Sequence, residues 1–222
     1  MVHTIKRWFV PLIFAGTLGS IVLFAYLLFF PGSRFYLQEL CSVILGKGKA
    51  RGEARFQQRL DILGKTRDIL ALKMLVKKTS RVLILSDRDQ VLATFPIGLG
   101  RDPIGQKVRA EDGKTPEGEY FVCYKKEDSR YHLFLGLSYP SPEDASRGLG
   151  AGIITATEAE AILDAGMAKS RPPWNTALGG PFGIHGYGSD LDWTEGTIAM
   201  ANSNIEEIFW NVPIGTSVTV QP

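Results

Sequence analysis

Gly179-Gly180-Pro181-Phe182-Gly183-Ile184-His185-Gly186, followed by Asp192-Trp193-Thr194-Glu195-Gly196-Thr197-Ile198-Ala199-Met200, is the stretch on which the fold and the chemistry of this chain turn. It sets a histidine at the end of a short apolar strand and, 12 residues on, a hydroxyl directly after a glycine. On chemistry alone two readings stay open: a general base beside a nucleophile, or a histidine that satisfies a local structural hydrogen bond. His185, Asp190, Asp192 and Glu195 also offer a metal-ligand set, but acids beside Gly and Ser in a loop serve as turn and cap residues, so no metal is expected. Trp193 reads as a wall or core anchor, as large aromatics usually are.

Working outward, Ser203-Asn204-Ile205-Glu206 has the form of a capping box and opens a helix that must stop before Pro213, after which Ser217–Val220 closes the chain as a strand. Upstream, Thr157-Glu158-Ala159-Glu160 opens an Ala-rich helix reaching about Lys169. Gly148-Leu149-Gly150-Ala151-Gly152 superficially suggests a nucleotide loop. It lacks the preceding apolar strand and the acid about 20 residues on, and reads as a flexible loop. Thr115-Pro116-Glu117-Gly118 is a turn before the alternating run Tyr120–Tyr124. Leu72–Val76, Val82–Leu85 and Val91–Ile97 are short β-type runs, the last two joined by the polar turn Asp87–Gln90. The prediction is a mainly antiparallel, β-rich domain over 70–222 with two short helices.

The remainder of the 222 residues lies toward the N-terminus. From Trp8 to Phe30 runs an uncharged apolar stretch preceded by Lys6 and Arg7, long enough at 1.5 Å per residue to cross a hydrocarbon core of roughly 30 Å. A cleaved signal peptide would share the basic start, but its apolar region is shorter, roughly 7–15 residues, and no small-x-small cleavage site follows. The expected organisation is a cytoplasmic N-terminus over 1–7, a transmembrane anchor over 8–30, and a juxtamembrane stem over 31–69, partly helical across Glu53–Leu63. Basic residues flank the span on both sides, so its orientation does not follow from charge. A net charge of +2, with Lys and Arg interrupted by acids, gives no case for nucleic acid. Cys41 and Cys123 make neither a disulfide framework nor a zinc site and read as structural thiols.

Taken together, Phe95–Gly100, Lys107 with Asp112–Tyr120, Tyr131-His132-Leu133 with Leu137–Pro140, and the His-Gly and Asp-Trp-Thr-x-Gly blocks resemble the L,D-transpeptidase (YkuD-type) catalytic domain in order and content. The resemblance covers about 70–222. It implies a β-sandwich, a place outside the cytoplasmic membrane with the helix as anchor, peptidoglycan stem peptides as the partner, and no cofactor. It also implies acyl transfer by a cysteine thiolate, with a histidine as base and backbone amides holding the oxyanion. By motif His185 is that base, oriented by the carbonyl of Gly186. Gly196 leaves room for close approach and lends its amide, with that of residue 197, to the oxyanion hole. Tyr139 lines the substrate groove, and for His132 two readings stay open: a groove-lining residue by family analogy, or a packed strand histidine. Residue 197 is the nucleophile position, and here the sequence departs from the family, because it holds Thr197.

The departure matters chemically. A thiol ionises near 8.5, within reach of an imidazole, whereas a hydroxyl must lose its proton to a base during attack. Thr197 is internal, so it has no amine of its own to serve as base, and its β-methyl restricts χ1. Two functions are therefore expected to compete: acyl transfer from Thr197 activated by His185, or a catalytically impaired domain that binds peptidoglycan or a wall partner. Cys123, on an ordinary strand, is not expected to replace the nucleophile.

Overall fold

The computed structural model describes residues 48–222, and the span expected over 8–30 lies outside them. Among the described residues no helix is long and apolar enough to cross a membrane. In chain order the elements are α1 (Lys49–Leu63), β1 (Leu72–Lys77), β2 (Val82–Asp87), β3 (Gln90–Pro96), β4 (Gly118–Ser129), β5 (His132–Leu137), α2 (Pro142–Gly150), α3 (Ala156–Met167), β6 (Gly183–His185), β7 (Ile198–Ala199), α4 (Asn202–Asn211) and β8 (Ser217–Gln221).

The strands form one hydrogen-bonded series, β3-β2-β1-β8-β4-β5-β6-β7. Alternation explains why they pair as they do. Met74 and Val76 of β1, Leu83 and Leu85 of β2, and Val218 and Val220 of β8 turn to one core, and a register slip by one residue would expose each set. Most of the strand pairings are antiparallel, as expected, but the sheet is mixed: β8 lies parallel to β1, and β7 parallel to β6. In place of the two separate sheets of the expected sandwich the strands form one series, joined through β4. β4 pairs with β8 over Gly118–Phe121 and with β5 from Val122 onward, so it belongs to both halves. Beyond β3 the chain reaches across to β7, where the amides and carbonyls of Gly98 and Ala199 exchange bonds of 2.9 and 2.8 Å.

Among the described residues four α-helices pack on this frame: α1, which covers the helical stretch expected over Glu53–Leu63, and three within 70–222 where two were expected. α2 went unread because its glycines suggest a loop; Ser141 caps it in a capping box with Asp144, and Pro142 starts it. For α3 the box is Thr155 with Glu158, two residues before the expected pair. At α4 the expected box does not form: Ala201 holds the cap position without a side-chain bond, and Glu206 turns instead to His132 and Arg51. α1 packs against α4 within the compact unit, burying Phe56 and Leu60 and setting Arg51 and Arg59 against Glu206 and Glu207. Gly52 permits this, since a Cβ there would meet the carbonyl oxygen of Glu206 at 2.4 Å.

Candidate active site

β6 and β7 lie side by side, and the loop between them carries the rest of the site. His185 ends β6 and is buried, 2% exposed. Its Nδ1 lies 2.8 Å from the carbonyl oxygen of Gly186, which can only accept, so this nitrogen carries the proton. Nε2 is then the acceptor, and Thr197 Oγ1 donates to it at 2.8 Å. Tyr131 stacks on the ring at 4.8 Å between centroids, and Trp193 meets it edge-on at 5.5 Å. Burial pushes the His185 imidazole down to about 4, with the Gly186 bond opposing the shift. At neutral pH the ring is an uncharged acceptor facing a hydroxyl.

The approach to Thr197 is shaped by Thr194 and Gly196. Thr194 Oγ1 donates to the Thr197 carbonyl at 2.7 Å and accepts from the Gly196 amide at 3.1 Å. This bond corrects one expectation, because the Gly196 amide is already engaged and is not a free oxyanion donor. Gly196 itself has φ of +123°, and a Cβ would lie 2.5 Å from the Lys114 carbonyl oxygen. The loop is anchored behind by Asp192, which accepts from Arg81 Nε at 3.0 Å and from the Leu99 amide at 2.9 Å. Glu195 pairs with Arg101. Among the described residues no group of three or more His, Cys, Asp or Glu side chains is placed to hold a metal.

These residues line one end of a cleft of about 790 Å³. Tyr139 forms part of its wall but is 1% exposed, and its hydroxyl donates to the Leu178 carbonyl at 2.8 Å, so it offers the cleft a ring edge rather than a free donor. His132 is not among the lining residues. It turns into the protein, where Nε2 lies 3.1 Å from Glu206. Its neighbour Tyr131 faces the cleft and covers His185. Sequence reasoning passed over Tyr131 and Thr194 as site residues, although both stood inside quoted motifs. Cys123 lies outside the cleft lining, half-buried, and burial pushes its thiol up to about 11.

Lys107 forms a second fixed charge near Gly196. Its Nζ contacts Asp112 at 2.6 Å and the Arg109 carbonyl at 2.9 Å. Hydrogen bonds from Lys107 and from the amides of Val108, Arg109 and Lys114 outweigh burial and hold the Asp112 carboxyl below its ordinary range. The Asp112–Thr115 turn is thereby tied to the cleft floor.

A family model for the YkuD L,D-transpeptidase catalytic domain matches residues 73–220. No curated protein matches the chain. Among solved structures it is similar to the L,D-transpeptidase of Xylanimonas cellulosilytica DSM 15894, with 17% identity over 70% of this chain and 63% of that one and a TM-score of 0.41. It is also similar to the helical cell shape determining protein Pgp2 of Campylobacter jejuni, with 19% identity over 75% and 55% and a TM-score of 0.49. A third is an L,D-transpeptidase of Mycobacterium smegmatis, with 10% identity over 69% and 59% and a TM-score of 0.41. The chain spans between 55% and 63% of the length of these three proteins.

Proposed function

The chain belongs to the YkuD L,D-transpeptidase catalytic-domain family, and from that premise we propose that it acts on peptidoglycan stem peptides by acyl transfer, with Thr197 in the position the family gives to cysteine. The observation that carries this reading is the 2.8 Å bond from Thr197 Oγ1 to a His185 whose tautomer is fixed for proton acceptance. Oγ1 attacks the carbonyl carbon of the stem peptide bond as its proton passes to Nε2. The tetrahedral oxyanion faces the Thr197 amide, since the Gly196 amide is bound to Thr194. The intermediate collapses by expelling the amine, which takes the proton back from Nε2, and leaves an ester on Thr197. Water, or an amine of a second stem, then attacks the ester and frees the threonine.

A second reading is favoured by one specific observation. The low basicity that burial gives His185, with a carbonyl and no carboxylate behind it, suits a thiol better than a hydroxyl. On that reading the cleft binds the stem peptide without turnover. The full-length chain incubated with disaccharide-tetrapeptide separates the two. Acyl transfer yields trimmed or cross-linked product that disappears in Thr197→Ala, while pure binding yields no product from either protein and leaves affinity intact. We further propose that the Trp8–Phe30 span holds the domain at the outer side of the cytoplasmic membrane. Sedimentation with membranes, together with protease access from outside, tests that placement.

A further inference from the structure

One wall of the cleft carries positive charge that no carboxylate among the described residues neutralises. Lys126 lies near the end of β4, Arg130 in the β4–β5 turn, and Arg171 in the segment after α3, and all three are exposed cleft-lining residues. Among the described residues none of them has a carboxylate partner. Arg101 and Lys107, the other lining cations, are paired with Glu195 and Asp112. The lining carboxylates are Glu111 and the already paired Glu195, so the unpaired groups leave an excess of positive charge.

Arg171 is also held in place. Its guanidinium lies 5.2 Å from the Trp174 ring centre and 5.5 Å from that of Tyr124. A guanidinium resting on aromatic faces keeps its N–H fork free at the edge, oriented before any ligand arrives. The platform beneath is fixed in turn: Trp174 Nε1 donates to the Tyr139 carbonyl at 2.9 Å, and the indole meets Tyr124 and Phe134 edge-on at 5.9 and 6.4 Å. Gly136 and Gly180 clear space for it, for a Cβ at either would come within 3.0 Å of the indole. At the other end of the row, Arg130 lies 5.5 Å over Tyr131, the ring that stacks on His185. The row of cations therefore runs from a locked arginine to the edge of the reacting pair.

We propose that this wall is a carboxylate-binding subsite, and that the ligand is a peptide carrying at least two free carboxylates, one bound by the Arg171 fork and another by Lys126 and Arg130. The inference rests on the reading of the cleft as a peptide site. It adds that charge on the peptide, and not the scissile bond alone, decides what enters. A fork-bound carboxylate adds charge-assisted hydrogen bonds that an amide cannot supply, each sufficient for about a tenfold difference in affinity.

The test measures binding to the full-length chain in detergent by titration calorimetry at two salt concentrations, using disaccharide-tetrapeptide and the same compound with its carboxylates amidated. The parent is expected to bind the free-acid form at least about tenfold more tightly, with a gap that narrows at high salt. Arg171→Gln with Lys126→Gln, which leaves Arg130 as the remaining cation of the wall, is expected to narrow the gap several-fold, with the amidated form still bound. Equal affinity of the two forms for the parent overturns the subsite and leaves the peptide reading standing, as does an undiminished gap in the double variant. Failure of the parent to bind either form overturns both.

Discussion

Acidification of His185 is the perturbation whose size follows most directly from the geometry. In water the ring would take up a proton near 6.5; enclosed by Tyr131 and Trp193 and 2% exposed, it does so at about 4. Its polar contacts are the Gly186 carbonyl and the Thr197 hydroxyl, so no carboxylate compensates the burial of an imidazolium. Between these limits the unfolded chain holds more protons than the folded one, and stability rises with pH. The contribution is fully present above about 6.5 and is lost progressively as pH falls toward 4. At about 1.4 kcal/mol per tenfold change in proton affinity, it amounts to about 3 kcal/mol. NMR titration of the imidazole protons, with His185 assigned by their absence in His185→Gln, reads the protonation directly. Denaturant unfolding of parent and variant at pH 7 and pH 4.5 reads the linked stability, and the difference between the proteins removes carboxylates that titrate in the same range. An inflection near 6.5, or identical pH dependence in both, would refute the reasoning.

Other consequences follow from the same frame. Gly196→Ala places a Cβ against the Lys114 carbonyl in a backbone region that side chains avoid, and should cost roughly 3 kcal/mol, read as a fall in melting temperature. Thr194→Val keeps the shape but strips partners from the Thr197 carbonyl and the Gly196 amide. A loss of about 1–3 kcal/mol is expected in denaturant unfolding, together with weaker peptide turnover or binding. Glu206→Ala removes the carboxylate shared by Arg51 and His132; it should cost about 2 kcal/mol and speed hydrogen exchange across α1, with unchanged exchange counting against the docking described. Cys123, with its thiol raised to about 11, should alkylate much more slowly at pH 7.5 than after unfolding.

Much of the sheet was legible because alternation and turn chemistry act over a few residues. The runs read at Leu72–Val76, Val82–Leu85 and Val91–Ile97 correspond closely to β1, β2 and β3, with the turn between β2 and β3 at Arg88-Asp89. What escaped depends on contacts distant in sequence. Nothing local distinguishes the Ser203–Glu206 pattern from a working cap, yet Glu206 is drawn away by Arg51, 155 positions earlier, and by His132. In α2 the glycines outweighed the Ser141-Pro142-Glu143-Asp144 signal; Gly148 is there because a Cβ would meet Leu178 at 2.8 Å, a packing demand that no local pattern records. Weighing His132 rather than Tyr131 for the cleft was an error of one position in a hairpin, which exchanges the two faces. The pairing of His185 with Thr197 was readable as a motif, but the rings and hydroxyl that hold it were not, because Tyr131 arrives from the β4–β5 turn, distant in sequence.

The most direct test of the account is intact-protein mass measurement after exposure to a carbapenem, an acylating analogue for this family's nucleophile, on the parent, Thr197→Cys, and Thr197→Cys combined with His185→Ala. If the cleft is intact and position 197 is its nucleophile position, Thr197→Cys gains one equivalent of adduct at that position, the parent far less, and the double variant loses it. No adduct on Thr197→Cys, or an adduct at Cys123 in all three, would contradict the account.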